Sequence, residues 1–484
     1  MNTISGETTM REPLPLSRLA DEMHIAFMSE VWNVLQQRLK ATAPNEGCAF
    51  ALTWPSIGLK RTTVIVGKII WPKPGEVEAT PNNLEISSNY ISRALDAAID
   101  AGEQCGVALI HTHPESLFGK GQVQFSTRDD WYELRLFPTF TKYRRHALCA
   151  SLVFGSEQSE VDGRVWWQDQ ERTLVQRAQV VRVVGPELQF FETPHSQWKD
   201  HLDPAVMDRS TRLWGDQGRR RLQNIRAGVI GGGGTGSIAL LALATMGVGK
   251  IEGWDKDIVK KENLHRMLGA TRDQIGINKM EALGVLVRNV ATAQPFDLQE
   301  HPQWGTTNEA LRQLKDCDVI FSCVDMLAAR VPLNDLAYAH LIPTLDVASW
   351  IHASNGKVDS ISTHAHVWSP GIPCAWCKQT LTSYGLMQEA QGTQRGIEHR
   401  APYGLSLEDT DGIEPSVLAL NMIGVSLALM QFMQVALGIT GRTPRDLKFF
   451  LPEWELDESD LNTRDSCKTE LRAGLGDSIF ISGD

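Results

Sequence analysis

Two groups of residues have the types and spacing to do chemistry. The first lies in residues 228–279. An apolar run at 227–230 feeds a glycine run in which Gly231, Gly233, Gly234 and Gly236 fit a G-x-G-x-x-G spacing with one extra glycine inside. Glycines there let backbone approach phosphates, and the N-terminus of the small-residue helix expected from about Ser237 supplies free N–H donors. Asp255 and Asp257 follow about twenty residues on, where such folds bind a ribose. Asn263, Arg266 and Lys279 come next, and polar and cationic groups at that place suit a triphosphate better than a dinucleotide. Asp325, in VIFSCVDM at the end of another apolar strand, can hold magnesium beside those phosphates, with Arg330 and Asn334 following.

The second group is His111 and His113. Residues 106–110 read as a buried strand, and side chains two apart on extended chain point the same way, so both imidazoles reach one metal. Asp129 offers a third ligand and leaves the fourth zinc position to water. Ser126 can donate a hydrogen bond to a developing oxyanion, and Glu46, just ahead of an apolar run, is the upstream candidate for a general base.

The order G-x-G-G-x-G, D-x-D, N-L-x-R, K, C-x-D resembles the ThiF/MoeB adenylyltransferases and the adenylation domain of ubiquitin-activating enzymes. Upstream, Asp208-Arg209 and then Thr211 to Gly215 resemble the D-R-Q-I-R-L-W-G segment that opens that domain. The resemblance spans roughly 207–451. It implies that Asp255 binds ribose, that Asn263, Arg266 and Lys279 contact phosphates, and that Asp325 holds Mg2+. It also implies that Arg209 reaches ATP across a homodimer interface. The implied reaction is attack of a protein's C-terminal carboxylate on the α-phosphate, giving an acyl-adenylate and pyrophosphate. Met267 stands where the family usually has Gln.

His111-x-His113-Pro114, then Ser126-x-x-Asp129, with Glu46 upstream, resembles the JAMM (JAB, MPN) zinc isopeptidases over roughly 28–167. Eleven residues separate Pro114 from Ser126, more than is usual there, and a loop containing Gly119 and Gly121 can absorb them.

Cys374 and Cys377 form a C-x-x-C in SPGIPCAWCKQTL. In ThiF/MoeB relatives such a pair joins a second C-x-x-C to hold structural zinc, whereas only Cys467 stands near this C-terminus, so His or Asp would complete the site. Alternatively Cys374 or Cys377 is a thioester nucleophile, with Cys467 a remote third choice, because the crossover loop at 386–414 contains no cysteine. Thiols without chemistry are the third reading, and all three stay open. Cys323 reads as strand packing.

The elements that must position these groups give an α/β protein. An N-terminal JAB/MPN-like domain with a mixed sheet is expected at 15–180 and a linker at 181–205. A Rossmann-like ThiF domain with a doubly wound sheet is expected at 206–484. A net charge of -11 and the lack of a basic, aromatic-interleaved stripe argue against nucleic acid. The N-terminus lacks the pattern of a signal peptide, and eight cysteines without a disulfide spacing suit a reducing, cytoplasmic setting. The uncharged stretch 415–441 is long enough to span a bilayer, but the adenylation fold places a buried helix there, so no membrane partner is expected.

The expected function joins both halves on the tail of a ubiquitin-like protein. One half adenylates it, with thioester formation and a conjugating-enzyme-like partner as further steps. The other half cleaves peptide or isopeptide bonds after it, in a prokaryotic conjugation system; a link to antiviral defence is fold-level analogy. Activation and trimming of a sulfur-carrier protein is the alternative. A non-catalytic module that binds such tails is a third reading, and an NAD-dependent oxidoreductase is disfavoured by Arg266 and Lys279.

Overall fold

The computed structural model describes residues 19–114, 123–155, 157, 160–198, 200, 203, 205–354, 357–391, 416–439, 441–459 and 462–481. Residues 115–122 of the extra loop between Pro114 and Ser126, and most of the crossover loop, lie outside the described residues.

The N-terminal half is built on a nine-stranded mixed sheet. Its strands are β1 (Glu22–Met28), β2 (Cys48–Ile57), β3 (Arg61–Ile70), β6 (Gly106–Thr112), β7 (Cys149–Phe154), β8 (Val161–Asp169), β9 (Arg172–Arg177), β10 (Val180–Val184) and β11 (Leu188–Glu192). Their order is β11-β10-β1-β3-β2-β6-β7-β8-β9, and β4 (Val77–Thr80) and β5 (Asn83–Ile86) form a separate hairpin. Alternate residues of β2 and β6 feed opposite layers, as the two-residue period of a strand requires. Ala49, Ala51, Ala108 and Ile110 pack with Trp32, Leu35 and Leu39 of α1 (Ser29–Lys40). Phe50, Leu52, Val107 and Leu109 pack with α2 (Ser88–Asp100) and α3 (Thr127–Tyr143). A sheet covered on both faces explains why β6 is buried along its whole length.

The stretch expected as a linker is partly sheet. β10 runs parallel to β1, and β11 closes on β10, so the first sheet continues to Glu192. VVRVV is β-branched, and in LQFFE only Leu188 and Phe190 are fully buried, so a weak alternation was masked by polar neighbours.

The C-terminal half is doubly wound. Parallel strands β12 (Arg226–Ile230), β13 (Lys250–Trp254), β14 (Asp297–His301), β15 (Val319–Ser322) and β16 (Thr344–Ser354) are followed by antiparallel β17 (Lys357–Trp368), β18 (Asp446–Phe450) and β19 (Glu455–Glu458). The spatial order is β14-β13-β12-β15-β16-β17-β18-β19. After α4 (Asp208–Asn224), the helices α5 (Gly234–Thr245), α6 (Lys279–Val290) and α10 (Leu418–Leu437) cover one face. α7 (Asn308–Leu314) and α8 (Leu327–Ala339) cover the other, and α9 (Ser383–Gln391) packs beside α8. α10 is long and apolar enough to cross a membrane, with mean hydropathy 1.6, yet half of it is buried against the sheet. Its Gln431 donates to the carbonyls of Ala365 and Pro444.

The two halves meet through buried charge. Backbone N–H groups of Leu59, Lys60 and Arg61 donate to the Asp316 carboxylate. The Arg61 guanidinium meets Asp318 at 2.6 Å, and Arg182 meets it at 3.3 Å. The C-terminal segment returns to the first domain, where Asp477 accepts from the Ile57 N–H at 2.8 Å and pairs with Lys315.

Three buried histidines make this packing sensitive to acid. Burial pushes His24 down to about 4, His340 to about 3 and His366 to about 4 from the ordinary 6.5. The unfolded chain therefore takes up protons first as pH falls. Stability is full above about 6.5 and drains away down to about 3, and each histidine costs about 2 kcal/mol at pH 5. His340 Nδ1 lies 2.8 Å from Ser56 Oγ across the domain boundary. Urea midpoints at pH 7 and pH 5 are expected to converge in His340→Gln relative to wild type; an unchanged gap would refute the assignment.

Candidate functional site

β12 ends at Ile230 and the chain turns into α5 through the glycine run. Gly231 has φ +94°, and a Cβ there would sit 2.5 Å from the Cys323 carbonyl oxygen. A Cβ on Gly236 would lie 1.7 Å from the Gly231 carbonyl oxygen, so helix and turn can close only without one. Gly233 caps α5, and a Cβ on Gly234 would meet Asn421 of α10. These glycines open onto a cavity of about 680 Å³, in the size range of a nucleotide-type ligand.

The other expected groups converge on the same cavity. Asp255, at the end of β13, accepts from the Gly232 N–H at 2.7 Å and the Asp257 N–H at 2.8 Å. Lys279 opens α6, and its Nζ lies 3.4 Å from Asp255 and 3.0 Å from Asp257. Asn263, Arg266 and Asp325 line the cavity too, the Asn263 side chain also accepting from the Lys260 N–H at 2.9 Å. A close-approach glycine turn, a cation held between two carboxylates and an exposed Asp325 fit a magnesium–nucleotide by donor chemistry.

Several members of this site carry no motif of their own. Gly232 supplies the amide on Asp255, and Trp304 forms part of the wall with Lys256 Nζ 4.0 Å over its ring. Beneath the Asp325 loop lies Asp346 of β16. It accepts from Ser322 Oγ at 2.7 Å, meets His364 Nε2 at 3.0 Å, and pairs with Arg330 Nε at 3.0 Å. Burial raises its carboxyl, but Arg330, His364 and Ser322 outweigh this and hold it well below the usual carboxylate range. An aspartate inside the apolar run TLDVASW was the available signal, because a buried carboxylate must be paired.

The chain belongs to the ThiF family. The match covers residues 207–450, just over half its length. Among curated relatives, ubiquitin-like modifier-activating enzyme 5 of Gallus gallus is 24% identical over 42% of this chain and 51% of its own. The SAMP-activating enzyme E1 of Haloferax volcanii is 27% identical over 36% of this chain and 63% of its own. The adenylyltransferase and sulfurtransferase MOCS3 of Anopheles gambiae is 33% identical over 25% and 27%. The chain thus spans between about a quarter and five-eighths of these relatives. A solved E. coli MccB structure superposes loosely, with TM-score 0.44 at 15% identity over 56% of this chain and 74% of that one.

Arg209 does not join the site within one ThiF-family chain. It is exposed at the start of α4 and is not among the residues lining the cavity. Cys323 packs against the core as expected, though just beyond the strand. It follows β15, lines the cavity, and is pushed by burial to about 12.

Cys374, Cys377 and Cys467 come together, with Sγ atoms of Cys374 and Cys467 3.6 Å apart. Among the described residues no His or Asp joins them, so the expected fourth ligand of that type is not found. All three are buried in the layer containing α8, and none lines the cavity. Burial pushes the Cys374 thiol up to about 12, the wrong direction for a nucleophile, whereas at Cys377 burial is outweighed by hydrogen bonds from the Arg464 backbone and the two neighbouring thiols, which lower it.

The second group also assembles. The ligand atoms of His111, His113 and Asp129 lie within 4.8 Å of one another. Asp129 Oδ1 is 3.1 Å from His111 Nε2, and its Oδ2 is 3.3 Å from His113 Nε2. Among the described residues, buried His111 Nδ1 has no hydrogen-bond partner and Nε2 meets only this carboxylate. Two imidazoles and a carboxylate are the donor set of a three-ligand zinc site. Burial raises Asp129, but the two histidines outweigh it and hold its carboxyl far below the usual range. The Glu46 carboxyl is raised by burial against the pull of both histidines, as a general base needs. Ser126 caps α3, accepting from the Asp129 N–H at 3.2 Å, while its own N–H donates to Asp129 Oδ2 at 2.6 Å. S-x-x-D is therefore also a capping box, with Ser126 held against the Asp129 carboxylate.

Proposed function

We propose that the C-terminal half activates the C-terminal carboxylate of a ubiquitin-like or sulfur-carrier protein by adenylation. In this reading the N-terminal half is a JAMM-type zinc peptidase acting after the same kind of tail. The convergence of the glycine turn, Asp255, Arg266, Lys279 and Asp325 on one cavity carries it.

The glycine turn and the α5 N-terminus would cradle the phosphates, Asp255 would take the ribose, and Lys279 and Arg266 would draw charge from the phosphate oxygens. Asp325 would hold magnesium, which would neutralise phosphate charge. The incoming carboxylate oxygen bonds to the α-phosphorus, and the bond to pyrophosphate breaks with its electron pair. Arg209 would act from a second copy, as its exposed position allows. In the other half, His111, His113 and Asp129 would hold zinc, which supplies an activated water. Glu46 would move that water's proton, and Ser126 would steady the oxyanion.

Activation of a sulfur carrier uses the same adenylate and differs only in the acceptor, as the sulfurtransferase named among the relatives suggests. Structural zinc in the three-cysteine cluster is the favoured reading of Cys374, Cys377 and Cys467, because the thiols are buried and face one another.

Two measurements test the whole. ATP–pyrophosphate exchange is expected only when a tail-bearing protein is added, and its absence with both partner classes would refute adenylation. Zinc per chain is expected to be two, falling to one in His111→Ala and to one in Cys374→Ser/Cys377→Ser; no zinc in wild type would remove the peptidase half.

A further inference from the structure

We infer that Arg330 is a positioning residue: locked onto buried Asp346, its guanidinium fixes the backbone of Val324 and Asp325 and so aims the Asp325 carboxylate into the cavity. This rests on the nucleotide-activating reading above and gives Arg330 a role that its place in the spacing does not state.

The need for such a clamp follows from the sheet. β15 pairs with β16 only as far as Ser322 opposite Asp346. Beyond that pair the chain leaves the ladder, and the carbonyls that follow have lost their strand partners. Arg330, in the first turn of α8, supplies the donors. One terminal nitrogen donates to the Val324 carbonyl at 2.6 Å, and the other to the Asp325 carbonyl at 3.4 Å. Its Nε meets both oxygens of Asp346, at 3.0 and 3.2 Å. Asp346 is in turn gripped by Ser322 of β15 and His364 of β17. Arg330 is 2% exposed and Asp346 and Ser322 0%, so water does not compete.

One planar fork thus ties the end of β15, the loop, α8, β16 and β17 together. The Asp325 side chain is exposed and its tie to Arg330 runs through its carbonyl, so what the clamp fixes is the backbone that carries it. Lysine cannot replace this: an ammonium can neutralise Asp346 but cannot reach two carbonyls and a carboxylate in one plane.

The test uses the full chain, ATP and Mg2+ alone. Arg330→Lys keeps a positive charge beside Asp346. Arg330→Met/Asp346→Leu removes both buried charges together, so that neither is left alone in the core. Calorimetric titration of ATP with and without Mg2+ is expected to show the magnesium-dependent gain in affinity falling about 10-fold in both variants. Affinity for magnesium-free ATP should stay at wild-type level. Backbone amides of 323–326 should exchange hydrogen faster in the nucleotide-free variants, a readout independent of any metal. An unchanged magnesium gain in a folded variant would overturn the clamp. So would a parallel loss of magnesium-free binding, which would make Arg330 a direct nucleotide contact. Wild type that binds no Mg·ATP would instead refute the adenylation reading, and this inference with it.

Discussion

Asp325→Ala is expected to reduce ATP–pyrophosphate exchange by about 100- to 1000-fold or more, the range seen when one preorganised charge-stabilising group is lost. The fold should be unaffected. The carboxylate is exposed at the cavity, and the residue's tie to Arg330 runs through its backbone carbonyl, which alanine keeps. Zinc content and any peptidase activity should also match wild type, because His111, His113 and Asp129 lie in the other half, at the end of β6 and the start of α3. Exchange retained within a few fold would remove Asp325 from magnesium binding and leave the phosphate cations as the sole electrostatic machinery. Loss of exchange together with loss of zinc would point to general unfolding instead.

Arg61→Ala should be the most destabilising single change at the domain boundary, by about 3–5 kcal/mol, because it strands buried charge. Arg61 is 2% exposed and holds both Asp318, at 2.6 Å, and Glu22, at 2.9 Å. With it gone, Asp318 retains the longer contact to Arg182 and the Arg226 N–H. Lys60→Ala is the matched control. Its ammonium pairs with Glu252 at 2.9 Å, but the Lys60 side chain is 43% exposed and buried Glu252 keeps His301 at 3.2 Å and Arg226 at 3.6 Å, so a loss of about 1 kcal/mol is expected. Chemical denaturation of the two variants and wild type measures the difference. Similar small shifts for both would mean that the buried network contributes nothing special to holding the halves together. A large Arg61 effect would also mean that the ThiF-family half depends on the N-terminal half, since Asp316 and Asp318 take donors from it.

Local order was readable wherever one short segment carries its own chemistry. The glycine turn, the acidic pair after β13, Lys279 at a helix start and the H-x-H at the end of β6 each depend on neighbours within a few residues. Their types and spacing therefore predict their places. The doubly wound class was implied by the family resemblance those motifs carry, and strand–helix alternation beyond Asn334 agreed with it.

Other features depend on residues far apart in the chain. Whether residues 181–205 were linker or sheet turned on β1 offering an open edge to β10. Whether Cys374 and Cys377 face solvent or a third thiol was settled by the C-terminal segment folding back to bring in Cys467, 93 residues on. Asp346, Arg330 and His364 became one network only when β15, β16, β17 and α8 met. Spacing along the chain encodes what adjacent residues can do. Pairing a buried charge is a property of the packed interior, and only tertiary structure supplies its partner.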